Sequence, residues 1–465
     1  MLKGFSTSCS LIRLLFFVLA LTMGALSHAA ATLVGGGATL PAIGYVGSGA
    51  ATTYQVFPAA SNSLFGAYSA TRGYPQVSYC QTGSLVAKNM LSGLAAIPKT
   101  PGPGYDTYNI QYACPFVPGN VNEHGFGANA AGVNRSDLTA PSFIGSTSPL
   151  SSVDISNYQA GHGSGTYPVQ FPAVAGAIAI GMNVRTAKGV SLNSSNTNFS
   201  DAQLCRVFSG AVTNWSDPSL ASAYTLDYGD SIPPTPIKLQ YRSDGSGSTF
   251  SFSNHLTAVC PAIAGIHFLT SEMFTTVVSQ FFTANGVETL PSNWSGNIGD
   301  QGQASYIQAT YGSIGYISMA NALAAGIGYA KVNGVDPATF GSPVTVASAA
   351  LKSNYVISSN TWGVNGQPLI AAVPGAPSNS CLELIDPSTY ASPSSGYPII
   401  AFSYLLGNSS GNPSGDLWDI RNLIGAPYNV AITGRATQFG IGTGLALLNV
   451  PGTVLSTMTV NRCVN

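Results

Sequence analysis

The chain has 465 residues, of which only 7% are charged, with 16 Lys and Arg side chains against 17 Asp and Glu. This near balance without a basic patch excludes the electrostatic footprint of a protein that binds nucleic acid or an anionic membrane surface. Hydrophobic residues make up 45% of the chain, which is enough for a large core and excludes wholesale disorder, and the length favours two or three domains.

The first thirty residues have the features of a secretory signal. Lys3 and Arg13 precede an apolar run over residues 14–23, and small residues follow the run. The run is too short for a membrane span, which needs roughly 20 residues. We therefore predict a signal peptide over residues 1–30 and a periplasmic or secreted mature protein that is not embedded in a membrane. Lipoprotein anchoring is not expected, because Cys9 precedes the apolar run.

Cysteine usage fits an exported protein. Seven cysteines minus Cys9 leave six, and an even number after an export signal predicts three disulfides. Sequence alone leaves the pairing open, and our expectation is that neighbours pair: Cys80 with Cys114, Cys205 with Cys260, and Cys381 with Cys463 by elimination. No Cys or His spacing suits a metal ion, so we expect neither a metal nor another cofactor.

Short β-like runs alternate with helix-like segments along the chain, which predicts an α/β fold. Residues 173–182 are small and apolar and predict a buried strand, while residues 201–208 combine an Asp cap with an apolar stripe that is typical of a helix. An apolar side predicts another helix over residues 271–285. Glycine-bounded runs predict strands over residues 311–317 and 396–402.

Two segments near the N-terminus could bind an anion. Residues 35–37 are glycines that predict a flexible turn, and the following Thr39, Leu40 and Pro41 predict a helix start whose N–H groups and hydroxyl attract anions. With 53 glycines in the chain, this motif is weak on its own. The second segment contains Ser84, which follows a β-like run and predicts a strand-to-helix junction. A simple N-cap explains it equally well.

Residues 241–250 give a more specific signal, because they combine a guanidinium, a carboxylate, several hydroxyls and two glycines. Arg242 offers a planar fork of donors that matches two oxygens of an oxyanion, and Asp244 can hold that fork in place. Ser246 and Ser248 supply hydroxyls at the predicted start of the next helix, where free N–H groups point inward. The alternative is a surface turn with a local ion pair. We predict a site for a tetrahedral oxyanion.

A further carboxylate could make such a site selective. Asp137, within residues 134–137, could accept a hydrogen bond from a protonated oxyanion and would repel a fully ionised one. From the residues alone, an ordinary loop aspartate is the plainer interpretation.

Taken together, these segments resemble a known family. Residues 39–41, 201–215, 242–249, 312–317 and 396–402 look like the PstS-like periplasmic phosphate-binding proteins that feed the phosphate ABC transporter, and most closely like their DING subgroup. The resemblance implies a two-lobed type II periplasmic-binding-protein fold, α/β with mixed sheets, that closes on phosphate by a hinge.

The resemblance also implies boundaries and roles. Lobe I would comprise residues 31–174 and 396–465, and lobe II residues 175–395, with strand crossovers near 169–176 and near Gly396. Cys205 and Cys260 match a disulfide typical of the DING subgroup. Asp244 would orient the arginine, and Asp137 would accept the phosphate proton. The implied phosphate ligands are Thr39, Leu40, Ser84, Asp137, Arg242, Ser246, Gly247 and Ser248.

Three functions follow from this resemblance. The leading hypothesis is a monomeric, non-enzymatic solute-binding protein that captures inorganic phosphate for an ABC permease or for extracellular scavenging, with no nucleic acid among its partners. The alternatives are a secreted phosphomonoesterase of the DING type and a surface or adhesion protein that has kept the fold and lost the ligand. An esterase needs an activated nucleophile or a metal, and Ser246 has no base partner identifiable in the sequence.

Overall fold

The computed structural model describes residues 31–71, 73–93, 126, 133, 135, 138, 140–284, 287–379, 381–450 and 455–465. The predicted signal peptide, Cys114 and Asp137 lie outside these residues. None of the helices in these ranges combines the length and apolar character that a membrane crossing requires.

Strands and helices alternate through most of the chain, as an α/β fold requires. The strands are β1 (Leu33–Gly37), β2 (Gln55–Val56), β3 (Val77–Cys80), β4 (Phe143–Ser146), β5 (Pro168–Asn183), β6 (Asn198–Phe199), β7 (Lys238–Arg242), β8 (Thr283–Ala284), β9 (Val287–Glu288), β10 (Ser295–Asn297), β11 (Ser313–Ser318), β12 (Gly328–Val332), β13 (Val344–Thr345), β14 (Leu351–Ser353), β15 (Tyr355–Trp362), β16 (Pro368–Ala372), β17 (Glu383–Ile385), β18 (Ile400–Asn408) and β19 (Leu445–Asn449).

The helices connect these strands and cover the sheet. They are α1 (Ala42–Val46), α2 (Leu64–Ser69), α3 (Ser84–Leu91), α4 (Ser152–His162), α5 (Asp201–Phe208), α6 (Gly247–Ala264), α7 (Phe274–Val277), α8 (Ser279–Phe282), α9 (Gly299–Ala309), α10 (Met319–Ala325), α11 (Leu417–Ile424), α12 (Val430–Thr433) and α13 (Thr457–Cys463).

Thirteen of the described strands form one mixed sheet, with the central order β10-β7-β11-β5-β18-β4-β1-β3-β2. The long strand β5 runs through it and is apolar and buried along nearly its whole length, as expected of a strand covered on both faces. Up to Ala177 it pairs with β18, and from Ile178 it pairs with β11. We call the sheet on the β18 side, with β1 to β4 and β19, the first half, and the sheet on the β11 side, with β7, β10 and β12, the second half.

Most of the predicted elements are present. The buried strand predicted over residues 173–182 lies within β5, and the helix predicted over 201–208 is α5. The cap of α5 is Ser200, which forms a capping box with Gln203, so the cap precedes the predicted Asp by one residue. The predicted strands at 311–317 and 396–402 begin two and four residues later, as β11 and β18.

The single helix predicted over residues 271–285 is wrong. The segment contains two four-residue helices, α7 and α8, and then the strand β8. The predicted apolar side of the segment is confirmed, since Phe274 and Val277 are buried. Four consecutive β-branched residues at 275–278 lose side-chain freedom in a helix, and this lowers the tendency of the segment to form a continuous one.

The glycine run 35–37 is a buried strand rather than a flexible turn. It belongs to β1, which lies between and parallel to β3 and β4. A Cβ added at Gly36 would lie 2.3 Å from the carbonyl oxygen of Cys80, and one at Gly37 would lie 2.0 Å from that of Gly145. The glycines are therefore required by close backbone packing, not by mobility.

The two predicted disulfides whose cysteines are both described are present. Cys205 is bonded to Cys260, and Cys381 to Cys463. Cys80 is also disulfide-bonded, and its predicted partner Cys114 lies outside the described residues.

One long segment of the predicted lobe II packs on the first half of the sheet. Strand β13 pairs with β19, Leu382 forms a bridge with Gln170 of β5, and Cys381 is bonded to Cys463 of α13. The lobe boundaries stay a prediction, and we propose that residues 344–385 belong with the first half.

Candidate functional site

The predicted ligand segments come together because they follow the carboxyl ends of strands. In the first half, β1, β3 and β4 are parallel, so the residues after them lie at one edge of the sheet. In the second half, β7 is parallel to β10 and β11 and ends at Arg242. Ligands of open α/β sheets bind in the crevice outside the carboxyl ends of the strands, and here that crevice lies between the two halves.

Arg242 is buried at the centre of this crevice, with 1% of its surface exposed. Its Nε donates to Asp244 Oδ1 at 2.6 Å, and its Nη2 donates to the second oxygen of the same carboxylate. Its Nη1 donates to Thr39 Oγ1 and to Asp300 Oδ1, each at 3.0 Å. Thr39 follows β1, so the guanidinium of the second half contacts the first half directly.

Two carboxylates stabilise the charged form of the guanidinium. Burial lowers the pKa of Arg242, but Asp244 and Asp300 outweigh it and raise that pKa above its ordinary value. Burial also raises the pKa of Asp300, and Arg242 offsets this only in part. Arg242 is therefore a firmly charged donor whose positive charge is already balanced by protein carboxylates.

Asp300 contacts Arg242, although the sequence did not single it out. It is the second residue of α9 and is fully buried, with Asn321 Nδ2 donating to its Oδ2 at 3.2 Å. Nothing in the residues around it suggests an anion site, because its partner Arg242 lies 58 positions earlier in the chain. The pairing of β10 with β7 places Asn297 opposite Arg242 and so brings the start of α9 to the crevice.

Ser84 links the two halves at the start of α3. Its Oγ accepts from the N–H of Thr147 at 3.0 Å and from the N–H of Gly247 at 3.3 Å. The cap of α3 is Gly83, with φ at 86°. A Cβ there would lie 2.6 Å from Asp244 Oδ2, so glycine is needed for the close approach of the two loops. The alternative that Ser84 is a simple N-cap is therefore wrong, because Gly83 is the cap and Ser84 accepts from Thr147 and Gly247 instead.

The loop after Arg242 leads into the eighteen-residue helix α6, as the sequence predicts. Ser246 is its N-cap, and its Oγ accepts from the N–H groups of Ser248 and Thr249 at 3.1 and 3.4 Å. Gly247 sits tightly against the first half, because a Cβ on it would lie 2.4 Å from the backbone of Thr147. The N–H groups at the start of α6 therefore donate to the side chains of Ser84 and Ser246, at the edge of the crevice.

The remaining predicted ligands are placed differently. Leu40 is buried, and its side chain fills the space beside Gly176 of β5, where an added Cβ would lie 2.5 Å from Leu40 Cδ2. Asp137 lies outside the described residues. The structure thus brings Thr39, Ser84, Arg242, Asp244 and the 246–248 loop into one cluster, and their roles toward a ligand stay a prediction.

One family model matches the chain over more than half of its length. Residues 127–415 match the PBP superfamily domain. The chain belongs to the PBP superfamily. Among curated relatives of this PBP-superfamily protein, alkaline phosphatase L of Pseudomonas aeruginosa is 29% identical over 68% of this chain and 74% of its own. The phosphate-binding protein PstS of Xylella fastidiosa is 30% identical over 44% of this chain and 46% of its own.

Solved structures support the same fold. A phosphate-binding protein from Stenotrophomonas maltophilia superposes with a TM-score of 0.53 at 19% identity and covers 93% of both chains. A high-affinity periplasmic phosphate-binding protein of the DING type, PfluDING, gives a TM-score of 0.54 at 22% identity over 92% of both chains. These matches confirm the two-lobed type II fold of this PBP-superfamily protein and its resemblance to PstS-like and DING proteins.

Proposed function

We propose that this protein captures inorganic phosphate between the two halves of its sheet. The observation that carries the proposal is that the segments after β1, β3 and β7 meet. Arg242 donates to Thr39, and Ser84 accepts from Gly247, which follows the N-cap Ser246. These residues lie at or after the ends of different strands, and Thr39 and Ser246 are 207 positions apart in the chain. The family resemblance assigns each of them to phosphate. Relatives and solved structures of the same fold are named as phosphate-binding proteins.

Hydrogen bonds, rather than net charge, would hold the anion. Arg242 is balanced by Asp244 and Asp300, so the cluster offers directed donors without a positive excess. Those donors are the guanidinium, the hydroxyls of Thr39 and Ser84, and the N–H groups at the start of α6. Phosphate oxygens would replace the bonds that these groups now make with one another, so closure and binding would occur together.

Calorimetry tests this proposal directly. Ligand-stripped wild-type protein should bind phosphate tightly, and Arg242→Ala should reduce the affinity severely, because it removes the only guanidinium of the cluster. Ser84→Ala provides a milder variant that leaves both buried carboxylates paired. If the folded, stripped wild-type protein releases no heat with phosphate and shows no binding by equilibrium dialysis, phosphate capture is excluded.

Selectivity is a separate proposal. The resemblance assigns proton acceptance to Asp137, which would favour hydrogen phosphate over fully ionised sulfate. Asp137→Asn should lower the ratio of the affinity for phosphate to the affinity for sulfate. An unchanged ratio would show that another acceptor makes the distinction.

A phosphomonoesterase is the second candidate, because one relative is named alkaline phosphatase L. The same cluster could bind a phosphomonoester. However, Ser246 Oγ already accepts two helix N–H groups as an N-cap, and this role suits positioning better than nucleophilic attack. Hydrolysis of a chromogenic phosphomonoester that is lost in Ser246→Ala, with folding retained, would favour the enzyme.

We also propose export and a hinge. Disulfides between described cysteines are expected in an oxidising compartment, which supports a periplasmic or secreted protein that passes phosphate to an ABC permease. The hinge would lie where β5 changes partners after Ala177 and at the turn before β18, close to the boundaries implied by the family resemblance.

A further inference from the structure

Three charged side chains form a cluster across the crevice. Lys88 of α3 and Asp154 of α4 belong to the first half, while Glu272 lies between α6 and α7 of the second half. The Lys88 ammonium is 2.9 Å from Asp154 and 3.0 Å from Glu272. The Lys88 side chain is 1% exposed and that of Glu272 is 17% exposed, so water screens this contact only weakly.

Lys88 remains charged in this setting. Burial lowers its pKa, but Asp154 and Glu272 together raise it above its ordinary value. Asp154 already supplies one full countercharge from within the first half, where it also forms the capping box of α4 with Ser151. Glu272 is therefore a second countercharge, and it reaches Lys88 only from the opposite half.

Glu272 contacts the predicted phosphate loop as well. Its backbone carbonyl accepts from the N–H of Ser246, the N-cap of α6, at 3.0 Å. Its carboxylate accepts from the hydroxyl of Ser148 in the first half. Ser148 follows Thr147, whose N–H donates to Ser84. Glu272 thus links the loop at the start of α6 to two segments of the first half, the helix α3 and residues 147–148.

We propose that Glu272 is a positioning residue that couples the order of the 246–248 loop to closure of the two halves. The proposal rests on the phosphate capture proposed above. Opening the crevice separates Glu272 from Lys88 and Ser148, while Asp154 stays with Lys88. The Glu272 contacts therefore slow opening, and with it phosphate release, without adding a ligand to the anion.

Phosphate release from Glu272→Gln tests this role. Glutamine keeps the size of the side chain and an acceptor for Ser148, but it removes the charge that contacts Lys88. We expect the dissociation rate of phosphate, measured by stopped flow, to rise about tenfold to a hundredfold, with the association rate changed less than about threefold. Asp227→Asn removes one negative charge from an exposed position of the same half and should release phosphate at the wild-type rate.

The outcomes separate the two proposals. If wild-type protein binds phosphate and Glu272→Gln releases it at the wild-type rate, the coupling role is wrong and phosphate capture stands. A lower melting temperature with unchanged release would also overturn it, because that result marks a purely structural contact. If wild-type protein does not bind phosphate, both proposals fail. If circular dichroism shows that Glu272→Gln is unfolded, Ser148→Ala tests the coupling role in its place. We expect it to raise the phosphate release rate, by less than is expected for Glu272→Gln, and an unchanged rate would overturn the role.

Discussion

Arg242 shows how one side chain can be charged and buried at the same time. Its guanidinium is held by Asp244 through two of its nitrogens and by Asp300 through the third. Removing a charge from water is costly unless it is paired and hydrogen-bonded. The two carboxylates meet that requirement, so the geometry of the donors is preserved for a ligand.

The Arg242–Asp244 pair should therefore matter for stability as well as binding. Asp244→Asn leaves the buried guanidinium with one carboxylate and should lower the free energy of unfolding by about 3–5 kcal/mol, because one partner of a buried pair is lost. Urea denaturation measures the change. The matched variant Asp227→Asn, at an exposed position, should stay within about 0.5 kcal/mol of wild type. Equal effects of the two variants would contradict this account of the pair.

Glu383 should make stability depend on pH. Burial raises the pKa of this carboxyl from 4.5 to about 7, opposed by the Ser353 hydroxyl. Below pH 4.5 the group is protonated in both the folded and the unfolded protein, and its neutral form fits the core. Between pH 4.5 and about 7 the carboxyl ionises in the unfolded protein but stays protonated in the folded one, so that contribution, on the order of 3 kcal/mol, is lost progressively over this range.

The variant Glu383→Gln isolates this contribution, because glutamine imitates the neutral carboxyl. The free energy of unfolding of Glu383→Gln minus that of wild type should be near zero at the lowest pH and should increase between pH 4.5 and 8. An advantage that does not change with pH would rule out ionisation of Glu383 as the cause.

At the scale of elements, close packing of backbones fixes the position of the site. Strand β1 can lie between β3 and β4 only because its glycines leave room for neighbouring carbonyls. Thr39 lies two residues after β1, so its distance from Arg242 depends on that packing. The strand ends, rather than a flexible loop, hold Thr39 and Ser84, the predicted ligands of the first half, in place.

Substitution of Gly37 tests this dependence. Its φ of +133° and the carbonyl of Gly145 leave no room for a side chain, so Gly37→Ala should lower the free energy of unfolding by about 3 kcal/mol or more. Gly49→Ala is the control, because nothing lies within 4 Å of a Cβ there, and it should change stability by less than about 0.5 kcal/mol. If Gly37→Ala proves as stable as the control, the close packing of β1 is not required.

Local features of the site could be read from the sequence, and distant ones could not. Asp244 is two residues from Arg242, and the start of α6 follows directly, so composition and spacing predict both. Asp300 and Glu272 have no local signature, because their partners Arg242 and Lys88 are distant in the chain, by 58 and 184 positions. The helix predicted over residues 271–285 was wrong because an apolar side does not by itself overcome a run of β-branched residues.

For the whole molecule, the two halves meet at groups that a bound anion would bridge. Arg242 reaches Thr39, and Ser84 accepts from Gly247, so residues of both halves share the same bonds. A ligand that binds both halves stabilises the closed form over the open one and the folded chain over the unfolded one.

Phosphate should therefore raise the melting temperature. At about a thousand times its dissociation constant, it should add about 4 kcal/mol to the free energy of unfolding. Scanning calorimetry with and without phosphate measures this, and Arg242→Ala should show no shift. A folded wild-type protein without any shift would favour a surface or adhesion protein that has kept the fold and lost the ligand.

A crystal structure of the protein grown with saturating phosphate tests whether the anion is captured between the two halves. We expect tetrahedral density in the crevice between the halves, within hydrogen-bond distance of Arg242, Thr39, Ser84 and the N–H groups of the 246–248 loop. Density for phosphate elsewhere, or a crevice without phosphate at that concentration, would contradict it.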